Sequence, residues 1–308
     1  MTAPTPPIPV PPAFTEHLTR LLGPAWPRSL PGLAARQCDR WELRPTGTPL
    51  HGFVALVVPV RRPDGTPAVL KVQPVDEETK GEPLALRTWD GDGAVLLLEH
   101  DPDTGAMLLE RLDPTRRLDT VPLDEALEVI GSLLARWGTH PGPPGMRDLG
   151  SMALDMAANA TALLAAERVP DRTREHLHRW AGLARELAAE PGDRLLHWDL
   201  HYENVLAPAP GTDRGPWLAI DPKPLVGAQG FELLPALRNR WEEAQATGDP
   251  LREVRRRFDL LTETAGLDRD RARAWTLVRV LENTLWEIGD REVPAAGATG
   301  AVALALET

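Results

Sequence analysis

The stretch LLHWDLHYENVL, residues 195–206, sets two acids, an asparagine and two histidines between apolar dipeptides. Apolar ends indicate a chain entering and leaving a core, and a middle this polar is buried only when its groups are hydrogen-bonded or bind something. Asp199 and Asn204 stand five residues apart, Asp221 ends the apolar run LAID, and Lys71 sits within AVLKV. Singly, each has an ordinary reading: Asp and Asn form turns through their own backbone, and a strand lysine is a solvated edge charge. Together they suit phosphoryl transfer, which needs positioning and charge neutralisation more than covalent help, so that acids and an amide converge on one metal-nucleotide unit. His197 and His201 are four residues apart, but a metal pair at that spacing requires a helix and the pattern here is a loop. His197 is expected to anchor the loop to backbone, and Trp198 to pack.

These residues need elements to hold them. The opening, MTAPTPPIPVPPAF, reads as a stiff leader without the basic start or apolar core of a signal sequence. AFTEHLTRLLG then places Phe14, Leu18, Leu21 and Leu22 on one helical face. From Trp41 three β-rich runs follow, with Asp64-Gly65 as a hairpin signal before the run that carries Lys71. EPLALRTW predicts one helix, and AVLLLEH and AMLLERL two further strands, giving the order β-β-β-α-β-β. Beyond Asp113 the periodicity turns helical: apolar residues at 123, 126, 127, 130, 133, 134 and 137 keep one register, and helical patterns recur at 151–168, 173–189 and after Leu233. Between them, RLLHWDLHYENVLAP and PWLAIDPKPLVG read as a hairpin carrying a site. Tryptophans 137, 180, 241, 275 and 286 fall on apolar helical registers and read as core.

Composition narrows the functions. A formal net charge of -11 argues against a nucleic-acid binder and suits a cationic small molecule. The single cysteine, Cys38, excludes an internal disulfide and a multi-cysteine metal site, so a cytoplasmic location is expected. No apolar run reaches the ~20 residues of a membrane span.

A β-rich lobe followed by a helical one, with these motifs in this order, resembles the protein-kinase-like fold. The spacing of Asp199 and Asn204 matches that family's H-x-D-x-x-x-x-N loop, Asp221 its metal-binding acid, and Lys71 its phosphate-gripping lysine. The chain departs from protein kinases elsewhere: it has no G-x-G-x-x-G, DPK stands for D-F-G, and no A-P-E follows. HWDLHYENVL, PWLAIDPKPLVG, LLERLDPTRRL, VLKVQPVDEE and ALRTWDGDGAVLLLEHD resemble instead the aminoglycoside and hydroxyurea resistance kinases, on their streptomycin 6-phosphotransferase branch, from about Trp41 to Glu287.

That resemblance implies an α+β fold with a small antiparallel-sheet nucleotide-binding lobe at 1–112 and a larger helical lobe at 113–308. It implies Asp199 as catalytic base, Asn204 and Asp221 as magnesium ligands, and Lys71 on the phosphates of ATP. Glu82 would pair with Lys71, Glu78 being the alternative. Glu110, Arg111 and Leu112 would form the adenine hinge, backbone near Thr46–Gly52 would arch over the phosphates, and His201 would donate to phosphate. The acceptor pocket would draw on the acids Glu242, Glu243, Glu282, Glu287 and Asp290, with Glu282 or Glu287 foremost. The expectation is a monomeric kinase of a small cationic aminoglycoside, streptomycin first. Hydroxyurea, an amino sugar or a cellular metabolite are the alternatives within kinases, and a nucleotide-binding pseudokinase is the alternative outside them.

Overall fold

The computed structural model describes residues 4–166, 169, 171–289 and 297–307. The chain divides into two compact units, residues 1–113 with 208–216, and residues 114–207 with 217–308. The excursion of 208–216 into the first unit has no counterpart in the boundary expected from sequence.

In the first unit, α1 (Pro12–Leu22) buries Phe14 and Leu18 but leaves Leu21 and Leu22 at the surface, so its apolar face is narrower than the sequence pattern. Helix α2 (Ala25–Arg40) escaped the sequence reading because Pro27, Pro31 and Gly32 interrupt its signal. It nonetheless buries Leu30, Ala34 and Cys38, and the leader docks on it when Ile8 N donates to Pro31 O at 3.1 Å. The sheet comprises β1 (Arg44–Pro45), β2 (Leu50–His51), β3 (Leu56–Arg61), β4 (Pro67–Val72), β5 (Leu97–His100) and β6 (Met107–Glu110). Its order is β1-β3-β4-β6-β5, with β2 beside β3 and every pair antiparallel. Alternation sends Leu56, Val58 and Val60 of β3 and Ala68, Leu70 and Val72 of β4 into the core shared with α2. Lys71 therefore points the other way, and α3 (Glu82–Trp89), inserted between β4 and β5, supplies its cover.

Strand β7 (Leu112–Arg117) begins two residues before the second unit and runs into it, and α4 (Leu123–Trp137), α5 (Leu149–Ala165) and α6 (Asp171–Leu187) follow. Four short strands follow: β8 (Arg194–Leu196), β9 (Val205–Pro208), β10 (Leu218–Ala219) and β11 (Leu225–Gly227). They form two antiparallel pairs, β8 with β11 and β9 with β10, and β7 adds to the outside of β9. Helices α7 (Leu233–Arg238), α8 (Trp241–Ala246), α9 (Pro250–Ala265), α10 (Arg269–Gly289) and α11 (Ala298–Glu307) complete the unit. Helix α9 shows both end signals: Asp249 accepts from Arg252 N at 3.1 Å, and Gly266 closes it with φ of 66°. Trp137, Trp180 and Trp275 are core as expected, whereas Trp241 is half-buried and Trp286 is 63% exposed, so an apolar helical register alone did not place them in the core. No helix among those residues is long and apolar enough to cross a membrane.

Candidate active site

The β8–β11 and β9–β10 pairs hold the two chemistry-bearing segments side by side. Residues 197–204 leave β8 as a loop, and 220–224 link β10 to β11. Ile220 N donates to Asn204 O at 2.9 Å and Lys223 N to His197 O at 3.0 Å, so both ends of the loop are pinned to the second segment. The His197 ring adds a third tie, its Nε2–H donating to Ile220 O at 2.9 Å, and stacks on Trp137 at 5.7 Å between centroids. Burial pushes the His197 pKa down to about 4, so the ring is neutral in this anchoring role.

The residues beneath the loop were not foreseen. Glu232, fully buried, accepts from the backbone N–H of both His197 and Trp198, the latter at 2.9 Å. Burial pushes its carboxyl up to about 7, against the downward pull of those two amides and the charge of Arg279. Trp198 has φ of 67°, rare for a bulky residue, and the guanidinium carbons of Arg147 and Arg279 lie 4.6 and 4.7 Å from its ring centroid. This left-handed turn immediately precedes Asp199. Strain of this kind persists where surroundings over-determine the backbone, as the Glu232 clamp and the two guanidinium groups do here. The expectation that Trp198 packs holds: it is buried, with two guanidinium groups over its ring.

Asp199 accepts from Lys223 Nζ at 2.8 Å through Oδ2. Burial works to raise its pKa but is outweighed by Lys223 and the neighbouring histidines, so the carboxyl lies below its usual range. Asn204 donates from Nδ2 to Asp199 O at 2.9 Å, which leaves its amide oxygen as the end able to ligate a cation. Asp221 adopts φ of 60°, a conformation aspartate tolerates better than most residues. An amide oxygen just before β9 and a carboxylate just after β10, its antiparallel partner, are hard donors of the type magnesium takes, so the residues present fit that ion. Among the described residues no group of three or more His, Cys, Asp and Glu side chains could hold a metal. His201 accepts from Glu203 N through Nδ1 at 3.3 Å, and burial holds its pKa below the ordinary value; its Nε2 then carries the proton as a donor.

In the first unit, Lys71 Nζ donates to both oxygens of Glu82 at 2.7 and 2.8 Å, and Gln73 adds a third bond to Glu82 at 2.6 Å. Lysine and glutamate are 5% and 1% exposed, so the pair is a core feature. Glu78 lies in the exposed segment before α3. Pro83 takes the second position of α3, which leaves Glu82 at its first, where the helix dipole also favours a carboxylate.

Other expected residues are placed differently. The Glu110 carboxylate accepts from Leu96 N at 2.8 Å and Arg214 at 2.9 Å, and its own N–H donates to Leu96 O at 3.0 Å, so its side chain and its amide are both committed internally. Arg111 is half-buried and Leu112 is buried at the start of β7. Thr46 N and Gly52 N bond Pro59 O and Ala55 O, both at 2.9 Å, so the ends of the proposed phosphate loop are spent in the sheet. Glu282 pairs with Arg279 one turn earlier on α10. Glu282 and Glu287 both act electrostatically on Arg238, as does Asp199, which gathers these charges about one end of α7. Glu243 is tied to Arg240 at 2.6 Å, Glu242 is exposed, and Asp290 lies outside the described residues.

An antiparallel-sheet lobe with a buried lysine–carboxylate pair, joined in one chain to a helical lobe carrying an acid–amide–acid loop, is the architecture of the kinase-like phosphotransferases. Residues 40–290 match the profile of the aminoglycoside/hydroxyurea antibiotic resistance kinases, and the chain belongs to that family. The streptomycin 6-kinase of Streptomyces griseus is 52% identical over 285 residues, covering 92% of this chain and 91% of that protein. The hydroxyurea phosphotransferase of Kitasatospora aureofaciens is 52% identical over 268 residues, 86% of this chain and 75% of that one. Among solved structures, a spectinomycin phosphotransferase in complex with ADP and spectinomycin has a TM-score of 0.55 at 12% identity, covering 89% of this chain and 96% of that chain; the likeness concerns the fold alone.

Proposed function

We propose that this enzyme transfers the γ-phosphoryl group of ATP to a hydroxyl of an aminoglycoside, streptomycin at its 6-position, and so confers resistance from within the cytoplasm as a monomer. The observation that carries this reading is the 52% identity to a streptomycin 6-kinase across 92% of the chain, which spans the whole Asp199–Asp221 region. Asp199 takes the proton of the acceptor hydroxyl; the hydroxyl oxygen bonds to the γ-phosphorus as the bond to ADP breaks, and ADP leaves with the electron pair. Asn204 and Asp221 would hold magnesium, which would supply neutralisation of phosphate charge. Lys71, oriented by Glu82, and His201 bind phosphate oxygens, and backbone at Glu110–Leu112 takes the adenine. Glu282 and Glu287 receive the cationic groups of the acceptor, Glu282 by exchanging its bond to Arg279 for one to the ligand.

A second reading is favoured by the equal identity to a hydroxyurea phosphotransferase. The two are separated by incubating the purified protein with magnesium-ATP and each acceptor. Gain of one phosphate on streptomycin, read by mass, together with protection of a sensitive host, supports the first. Phosphorylation of hydroxyurea with none across an aminoglycoside panel would replace it with the second.

A further inference from the structure

Asp199 is held from two sides. Its backbone carbonyl accepts from Asn204, and its Oδ2 accepts from the ammonium of Lys223 at 2.8 Å. Lys223 is itself rooted in a rigid segment: Pro222 and Pro224 flank it, its N–H is bonded to His197 O at 3.0 Å, and its carbonyl accepts from Arg147 at 3.3 Å. The ammonium thus starts from a fixed point and reaches the acid across the two pinned segments. A carboxylate has two oxygens, and a general base needs one of them aimed at the hydroxyl.

We infer that Lys223 is a positioning residue for phosphoryl transfer, fixing Asp199 through Oδ2 so that Oδ1 is the oxygen presented to the acceptor hydroxyl. The inference rests on the reading of Asp199 as the base. The other charged or titratable groups near Asp199 do not duplicate this function. His197 spends its Nε2 on Ile220 O, His201 spends its Nδ1 on Glu203 N, and Arg238 contributes charge from α7. Among the described residues Lys223 is the cation hydrogen-bonded to the Asp199 carboxylate. Without it, the carboxylate is free to rotate, and misplacement of a reacting group by about 1 Å can cost ~10²-fold in rate.

A double-mutant cycle tests this. Lys223→Met, Asp199→Asn and the double variant are assayed for kcat and for the KM of ATP, with nucleotide affinity measured separately by calorimetry. Lys223→Met should lower kcat by about 10- to 100-fold while leaving nucleotide affinity within roughly twofold, and Lys223→Arg should recover most of the loss. In the Asp199→Asn background, Lys223→Met should have no further effect, because the residue acts through the acid. Additive losses, or weakened nucleotide binding at unchanged kcat, would overturn the inference and assign Lys223 to the nucleotide instead. Should Lys223→Met fail to fold by circular dichroism, Lys223→Gln, which keeps a donor without the charge, enters the same cycle with the same criteria. The cycle is run on whichever of streptomycin and hydroxyurea the wild-type protein phosphorylates. A wild-type protein inert on both would bring down the base assignment and this inference with it, a result distinct from an active enzyme with additive losses.

Discussion

Each unit of this protein contains a lysine bonded to a carboxylate, and the two pairs are held in contrasting ways. Lys71 meets both oxygens of Glu82, with Gln73 as a further donor, in a nearly sealed environment. Lys223 meets one oxygen of Asp199, and its side chain is a third exposed. The first arrangement leaves its carboxylate saturated, a brace for the lysine. The second leaves its carboxylate with an oxygen to spare, a brace for the acid. The same two functional groups serve opposite members of the pair, and the count of occupied oxygens tells which.

The contrast is broken most sharply at Asp199. Asp199→Ala should cost ~10²–10⁴-fold in transfer while nucleotide binding, measured by calorimetry, stays close to wild type. Turnover at the wild-type rate would show that the spare oxygen takes no proton. Next in size is stability. Removing one partner of a buried pair strands the other, so Lys71→Met should lower unfolding free energy by ~3–5 kcal/mol in a denaturant titration. Lys223→Met, at a partly exposed pair, should lower it by roughly 1 kcal/mol. Equal costs would remove the distinction drawn above.

Glu232 gives a pH-dependent refinement. Its carboxyl rises from the ordinary 4.5 to about 7 on folding, so between those values the folded state holds a proton that the unfolded chain has released. Its contribution to stability is therefore present at low pH and is lost as pH climbs toward 7. The melting temperature of the wild type relative to Glu232→Gln should fall across pH 4.5 to 7, and a parallel pair of curves would count against this titration. The smallest effect is expected at the acceptor acids. Glu282→Gln and Glu287→Gln should raise the KM for streptomycin roughly two- to fivefold with little change in kcat, the scale of an exposed ion pair of up to ~1 kcal/mol. A fall in kcat instead would move them toward the chemistry.

What sequence could reveal follows the same division. Lys71 sits within a short apolar strand, and Asp199, Asn204 and Asp221 sit at fixed spacings beside such strands, a pattern visible without coordinates. The sheet strands and the long helices of the second unit show clean periodicity. Helix α2 does not, because two prolines and a glycine mask it, and β7 reads LDPTRR, with no alternation to announce a strand. The braces were invisible for a different reason. Glu232 reaches His197 across 35 residues of sequence, and Arg147 and Arg279 meet on Trp198 from opposite directions along the chain. Each is an ordinary charged residue on a helix or loop until the fold closes. Lys223 left one clue, a lysine locked between two prolines directly after Asp221.

The excursion at 208–216 bears on how this molecule can be taken apart. Arg214, carried on it, donates to the carbonyls of Gly91 and Ala94 and to Glu110, and Gly91 is glycine at φ of 80° with the guanidinium packed where a β-carbon would be. A fragment ending at Asp113 would lack the piece that fills this seat, removing Arg214 from two carbonyls and leaving the Glu110 carboxylate with Leu96 N alone of its two donors. The first unit is thus a discontinuous object, and neither a truncation nor a two-piece reporter cut at residue 113 would reproduce it. A cut inside the segment itself, between Thr212 and Asp213, would put Arg214 on the other piece and would also divide the second unit, parting β8 and β9 from their partners β11 and β10.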